Sequence, residues 1–163
     1  MSSVPAHGAA GGVHPGFEQA EIPMTITTRF ATEADRAAWE RVFLAYATFG
    51  RTEQTPQMRA RVWGWIMTPT AQTRCIVAEA EAGELVGFTH FRSYERPLPA
   101  TIGAYIDDMF VDPSLQGQGV VDLMIRAVGD FAESQGWDVV RWMTREKNYR
   151  ARAIYDRHAD KTD

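Results

Sequence analysis

The 163 residues carry 17 basic and 21 acidic side chains, a formal net charge of −4, and 45% of them are apolar. That size and apolar share suit one soluble domain with a real core. No apolar run approaches the roughly 18 residues of a membrane span, and the acidic balance argues against a dedicated nucleic-acid binder.

Residues 1–23 read as a flexible tail. AHGAAGGVHPG is small, glycine-rich and aperiodic, so it buries too little to offset its ordering entropy. It lacks the basic start and apolar centre of a secretory signal. His7 and His14 fall in this tail, and two such residues do not make a metal site; no metal is expected. Residues 24–163 read as a single α/β domain.

Met24 to Phe30 alternates and is rich in Thr and Ile, which predicts a first strand. Thr32, Glu33 and Asp35 suit a helix start, with Thr32 as N-cap and the acids at the positive end of the dipole. Ala38, Trp39, Val42, Phe43 and Tyr46 then form an apolar helical face. Gly50 to Thr55 is a loop, and Pro56 is placed to begin a second helix carrying Val62, Trp63, Trp65, Ile66 and Met67. Arg74 to Ala80 and Leu85 to Phe91 read as two strands joined through Glu81-Ala82-Gly83-Glu84. Cys75, the one cysteine, falls in the first of them; it excludes an internal disulfide and is compatible with a reducing cytoplasm. His90 falls in the second, where a histidine serves either as a hydrogen-bonded structural group or as a base. A turn at Glu95 to Pro99 leads to a central strand, Gly103 to Val111.

The most informative stretch is Ile106 to Ile125, IDDMFVDPSLQGQGVVDLMI. Asp112-Pro113-Ser114 ends the strand, because proline removes a ladder donor and aspartate and serine favour turns. Gln116-Gly117-Gln118-Gly119 follows. Then Val120, Val121, Met124, Ile125, Val128, Phe131 and Ala132 fall on one helical stripe that ends near Gly136. Strand, glycine turn and helix aim free backbone N–H groups and a helix dipole at an anion. The turn is not a Walker A loop, and it lacks the third glycine of a dinucleotide fingerprint. Trp137 to Met143 reads as another strand, and Asn148 to Tyr155 as an amphipathic helix with Ala151, Ile154 and Tyr155 on one face. Between Arg141 and His158, Arg141, Arg145, Lys147, Arg150, Arg152 and Arg157 outnumber Glu146 and Asp156; this is either a solvated face or a patch that attracts phosphates.

Val111-Asp112-Pro113, Gln116, Gly117, Gly119 and the following helix resemble motif A of the GNAT superfamily of acetyl-CoA-dependent N-acetyltransferases, which runs Gln/Arg-x-x-Gly-x-Gly/Ala. Asn148-x-x-Ala151-x-x-Ile154-Tyr155 resembles motif B and stands at the family's distance from motif A. Val121 departs from the pattern, since a small residue is usual there. The resemblance implies a mixed, mostly antiparallel central sheet flanked by about four helices. The family's last strand is expected to be missing, because the chain stops soon after motif B, and an open sheet edge of that kind would favour a homodimer.

The same resemblance implies roles for the site residues. Backbone around Met109, Phe110 and Val111 would hold the pantetheine arm of acetyl-CoA where two strands splay apart. Loop amides at Gln116, Gly117, Gln118, Gly119, Val120 and Val121 would hold its pyrophosphate, with Asn148 near the coenzyme. Tyr155 would be the general acid for the leaving thiolate. Asp107 and Asp108 are adjacent on a strand, so their side chains are expected on opposite faces, and either could be the base. The run Ile-Asp-Asp-Met-Phe-Val is similar to that of polyamine-type members, which implies a small primary amine as acceptor. A protein or peptide lysine acetyltransferase and a non-catalytic coenzyme A-binding domain are the alternatives. Tyr46, Phe49 and Trp65, on the helices that flank the acceptor groove in this family, are candidate substrate contacts.

Overall fold

The computed structural model describes residues 24–143. Five strands form one sheet in the order β1-β2-β3-β4-β5: β1 (Ile26–Phe30), β2 (Arg74–Ala80), β3 (Leu85–Arg96), β4 (Thr101–Val111) and β5 (Val140–Trp142). The first four are antiparallel neighbours, and β5 returns parallel to β4 after a helical crossover. Three α-helices accompany them among the described residues: α1 (Arg36–Phe49), α2 (Pro56–Met67) and α3 (Val120–Ser134). The tail at 1–23 and the motif B segment, with Asn148 and Tyr155, lie outside the described residues.

α1 and α3 bury the stripes their periodicity demands, whereas α2 buries only Trp63. In α1 the buried residues are Trp39, Val42, Phe43 and Ala47; in α3, Val120, Met124, Ile125, Val128 and Ala132. The Thr55 hydroxyl caps α2 by accepting from the Met58 N–H at 3.2 Å, with Pro56 at the first helical position. Before α1, the chain makes a short 3-10 turn at Glu33–Asp35. Asp35 accepts there from the Thr32 N–H at 2.8 Å and the Thr32 hydroxyl at 3.0 Å, and it also takes two bonds from Arg29. The Arg29 guanidinium holds the Asp35 carboxyl down at about 2.

The sheet separates two unlike cores. On one face α1 and α2 bring Trp39, Phe43 and Trp63 against Phe88 and Val77. On the other face α3 packs Met124 and Val128 over Ala78, Val86, Phe91, Ala104 and Ile106. Four strands differ in extent from the sequence expectation, β1 by starting at Ile26. β3 runs on to Arg96 and β4 starts at Thr101, so the turn between them sits at the tip of a long ladder. β5 is shorter, with Trp137–Val139 preceding it irregularly, although the Ala104 N–H still reaches the Val139 carbonyl at 2.8 Å.

Candidate active site

Two features of β4 define the site, one at its end and one at its middle. At its end, Asp112 accepts from the Ser114 N–H at 2.9 Å and the Ser114 hydroxyl at 2.7 Å, which closes the expected turn and holds the Asp112 carboxyl below the usual range. Gly117 and Gly119 then take φ values of 83° and 79°, a region that penalises any side chain. A Cβ at either would meet nothing within 4 Å, so backbone conformation, not crowding, demands glycine there. Gly119 is the N-cap of α3 and no side chain caps the helix. Its first turn therefore presents backbone donors and a positive dipole end beside an exposed loop, Gln116–Gln118.

Among the described residues β4 pairs with β5 only from Ala104 to Ile106, and Asp107–Val111 have no strand on that side. Met109 and Val111 turn their side chains into the α3 core. Phe110 packs toward α1. Val120 is buried, and the methyls of Val121 pack on the α3-side core. The extra bulk of Val121, the departure from the motif, thus has a place inside the protein.

The middle of β4 overturns one expectation. The register with β3 shifts between His90, which faces Asp108, and Phe91, which faces Ile106. Asp107 is the extra residue of a β-bulge, and such an insertion breaks the period-two alternation. Asp107 and Asp108 consequently lie on the same face of the sheet, not on opposite faces. Their partners show it: Asp108 Oδ2 lies 3.0 Å from His90 Nδ1, and Asp107 Oδ2 lies 3.1 Å from Arg92 Nε. His90 and Arg92, two residues apart on β3, share one face.

The two acids have different surroundings. Partial burial pushes the Asp107 carboxyl above its ordinary range, against the opposing pull of Arg92, and the neighbouring Asp108 charge pushes the same way as burial. Asp108 meets a buried, neutral donor. The Trp39 indole N–H donates to His90 Nε2 at 3.0 Å, and an indole nitrogen is a donor only. The His90 proton is therefore on Nδ1, where it donates to Asp108. Of the two roles open to His90 in the sequence, the hydrogen-bonded one is realised, and its partners connect it to the candidate site. Cys75 lies across the β2–β3 ladder from His90, and burial pushes its thiol far up, which leaves it no nucleophile.

A groove of about 530 Å³ opens on this same face between α1 and the end of β4, lined by Arg41, Leu44, Phe49, Phe110 and Pro113 among others. Phe49 is 71% exposed and forms part of its wall. Tyr46 sits behind, its ring 5.9 Å from Phe110. Trp65 is exposed on α2 and does not line the groove. The groove, the bulge and the Trp39–His90–Asp108 chain carry no local sequence signature. Only the unusual placement of a histidine among aromatic residues hinted at them.

A strand ending in a tight turn, two left-handed glycines and a helix with no side-chain cap thus stand together at the end of β4. Residues 36–159 match the family model described as Acetyltransferase (GNAT) family, and the chain belongs to that family. It is accordingly an acetyl-CoA-dependent N-acetyltransferase. The D-amino-acid N-acetyltransferase HPA3 of Saccharomyces cerevisiae is 27% identical over 130 residues, which span 79% of this chain and 81% of the yeast protein. Solved structures that share the fold include two acetyltransferases. One is a ribosomal-protein-alanine N-acetyltransferase from Brucella melitensis biovar Abortus 2308, with 18% identity, TM-score 0.68, and 85% of this chain and 94% of that chain covered. The other is the aminoglycoside acetyltransferase meta-AAC0020 from an uncultured soil metagenomic sample, in complex with sisomicin, with 18% identity, TM-score 0.71, and coverage of 85% and 91%. No helix among the described residues is long and apolar enough to cross a membrane, and no cluster of potential metal ligands occurs among them.

Proposed function

We propose that the protein acetylates the primary amine of a small cationic molecule by direct transfer. The observation that carries this reading is the bulge that turns Asp107 and Asp108 to one face, the face on which the apolar groove opens past Phe110. Two carboxylates so placed attract an ammonium and restrain it within reach of a base. Asp107, with its raised affinity for protons, accepts the ammonium proton directly or through water; Asp108 holds the nitrogen. Backbone N–H groups of the turn and first helical turn at Gln116–Val121 grip the diphosphate of the donor, although those of Gln116 and Gln118 also donate to the Pro113 and Leu115 carbonyls, and backbone groups at Met109–Val111 hold its arm. Acetyl-CoA supplies the activated thioester. Tyr155, from its match to motif B, returns a proton to the leaving thiolate, and Asn148 contacts the coenzyme. A cytoplasmic site of action and a homodimer are part of the same reading.

Within this class two acceptors have support. The acidic pair followed by an aromatic residue and valine is similar to polyamine-type members. The yeast relative acts on D-amino acids, and Arg41 at the groove wall would suit an acceptor that also carries a carboxylate. Thiol release from acetyl-CoA, measured across polyamines, D- and L-amino acids, aminoglycosides and lysine peptides, separates them. Preference for a small amine supports the reading. Preference for peptides would replace it with a protein acetyltransferase, and coenzyme binding without any turnover would leave a non-catalytic binding domain.

A further inference from the structure

His90 is 2% exposed, its ring centroid 4.6 Å from that of Phe88, 4.9 Å from Phe43 and 5.7 Å from Trp39. A phenylalanine would suit such a pocket, and a buried imidazole costs desolvation unless both nitrogens are satisfied. Both are, by groups of opposite kind: Trp39 donates to Nε2, and Asp108 accepts from Nδ1. Two bonds at opposite edges of the ring fix its plane and its tautomer. Trp39 is itself fully buried in α1 and packs on Trp63, so the clamp is anchored in the aromatic core.

We propose that His90 is a positioning residue for the acceptor site: clamped by Trp39, it tethers one oxygen of Asp108 so that the other meets the incoming ammonium. This rests on the acceptor assignment above. Two carboxylates on one face repel, and without donors they would swing apart into water. Strand β3 supplies a donor to each, but the donors differ. Arg92 brings a positive charge to Asp107. His90, neutral in its clamped tautomer, holds Asp108 without cancelling its charge, which leaves a full negative charge for the ligand. Thr89 completes the hold by donating its hydroxyl to the Asp108 carbonyl at 3.1 Å.

The test uses the full chain and four readouts. Asn places an amide nitrogen near the Nδ1 position of histidine, and Gln places its amide near Nε2. His90→Gln is therefore expected to raise KM for the preferred amine about tenfold or more, the cost of one hydrogen bond to a charged group. His90→Asn is expected to recover most of that loss, while acetyl-CoA affinity by calorimetry stays unchanged in both. The imidazole ¹⁵N spectrum of the unsubstituted protein is expected to show a protonated Nδ1 and a bare Nε2, whatever the turnover. A proton on Nε2 would overturn the clamp. Unchanged amine KM in His90→Gln, or equal losses in both variants that follow their melting temperatures, would reduce His90 to a packing residue. An unsubstituted protein that binds acetyl-CoA yet acetylates no amine would overturn the acceptor reading instead, and this role with it.

Discussion

The two halves of the proposed site are built from different materials. The donor half, at the turn from β4 into α3, works through backbone: glycines that reach positive φ and an uncapped helix end. The acceptor half, at the bulge in the same strand, works through side chains: Asp107 and Asp108, their partners Arg92 and His90, and Trp39 behind them. Backbone recognition needs only that certain positions stay glycine, and it suits a ligand common to every member of a family. Side-chain recognition is free to vary with the acceptor. In the proposed site, one strand and the turn that follows it thus carry the variable and the constant parts of the chemistry about ten residues apart.

Substitutions break this contrast in graded ways. Asp107→Asn removes the proposed base and is expected to lower kcat about a hundredfold, with acetyl-CoA affinity by calorimetry intact; unimpaired turnover would assign the proton to another group. Gly119→Val acts on the other half. It forces a β-branched residue into the left-handed region at a cost of about 1–2 kcal/mol, so acetyl-CoA binding is expected to weaken about tenfold while the preference among amines is retained.

A control lies outside both halves. Asp35→Asn breaks the Arg29 pair and is expected to lower stability by about 1–2 kcal/mol at neutral pH without changing turnover. The Asp35 carboxyl is held at about 2, below its ordinary 3.8. Its ionic contribution is therefore complete above pH 4 and is lost as pH falls from there toward 2. Urea melts of the two proteins should differ by a constant amount above pH 5 and converge under strong acid.

The smallest expected effect comes from Arg92→Gln. Arg92 opposes the upward push on the Asp107 carboxyl, so its removal raises that group's proton affinity further. Because the base must be deprotonated to act, the acid limb of the kcat–pH profile is expected to move to higher pH, by only a little for a half-exposed pair. A move to lower pH would show that Asp107 is not the group being read.

Sequence pattern alone located the elements and the turn from β4 into α3. The 3.6-residue stripes of α1 and α3, the proline that opens α2, the Asp112-Pro113-Ser114 turn and the spaced glycines are local signals, written within a few residues of where they act. β2 falls where alternation and the following turn put it, at Arg74–Ala80. The acceptor half depended on the fold. A one-residue shift in the pairing of β3 with β4 has no signature in either strand, because register is set by the summed packing of both faces. That shift turned two aspartates expected on opposite faces into neighbours. It also set His90 opposite Asp108, 18 residues on, while the packing of α1 on the sheet brought Trp39, 51 residues earlier, to the same ring. Contacts between residues so far apart are decided by which surfaces the helices and strands bury together, and only the assembled sheet makes that choice.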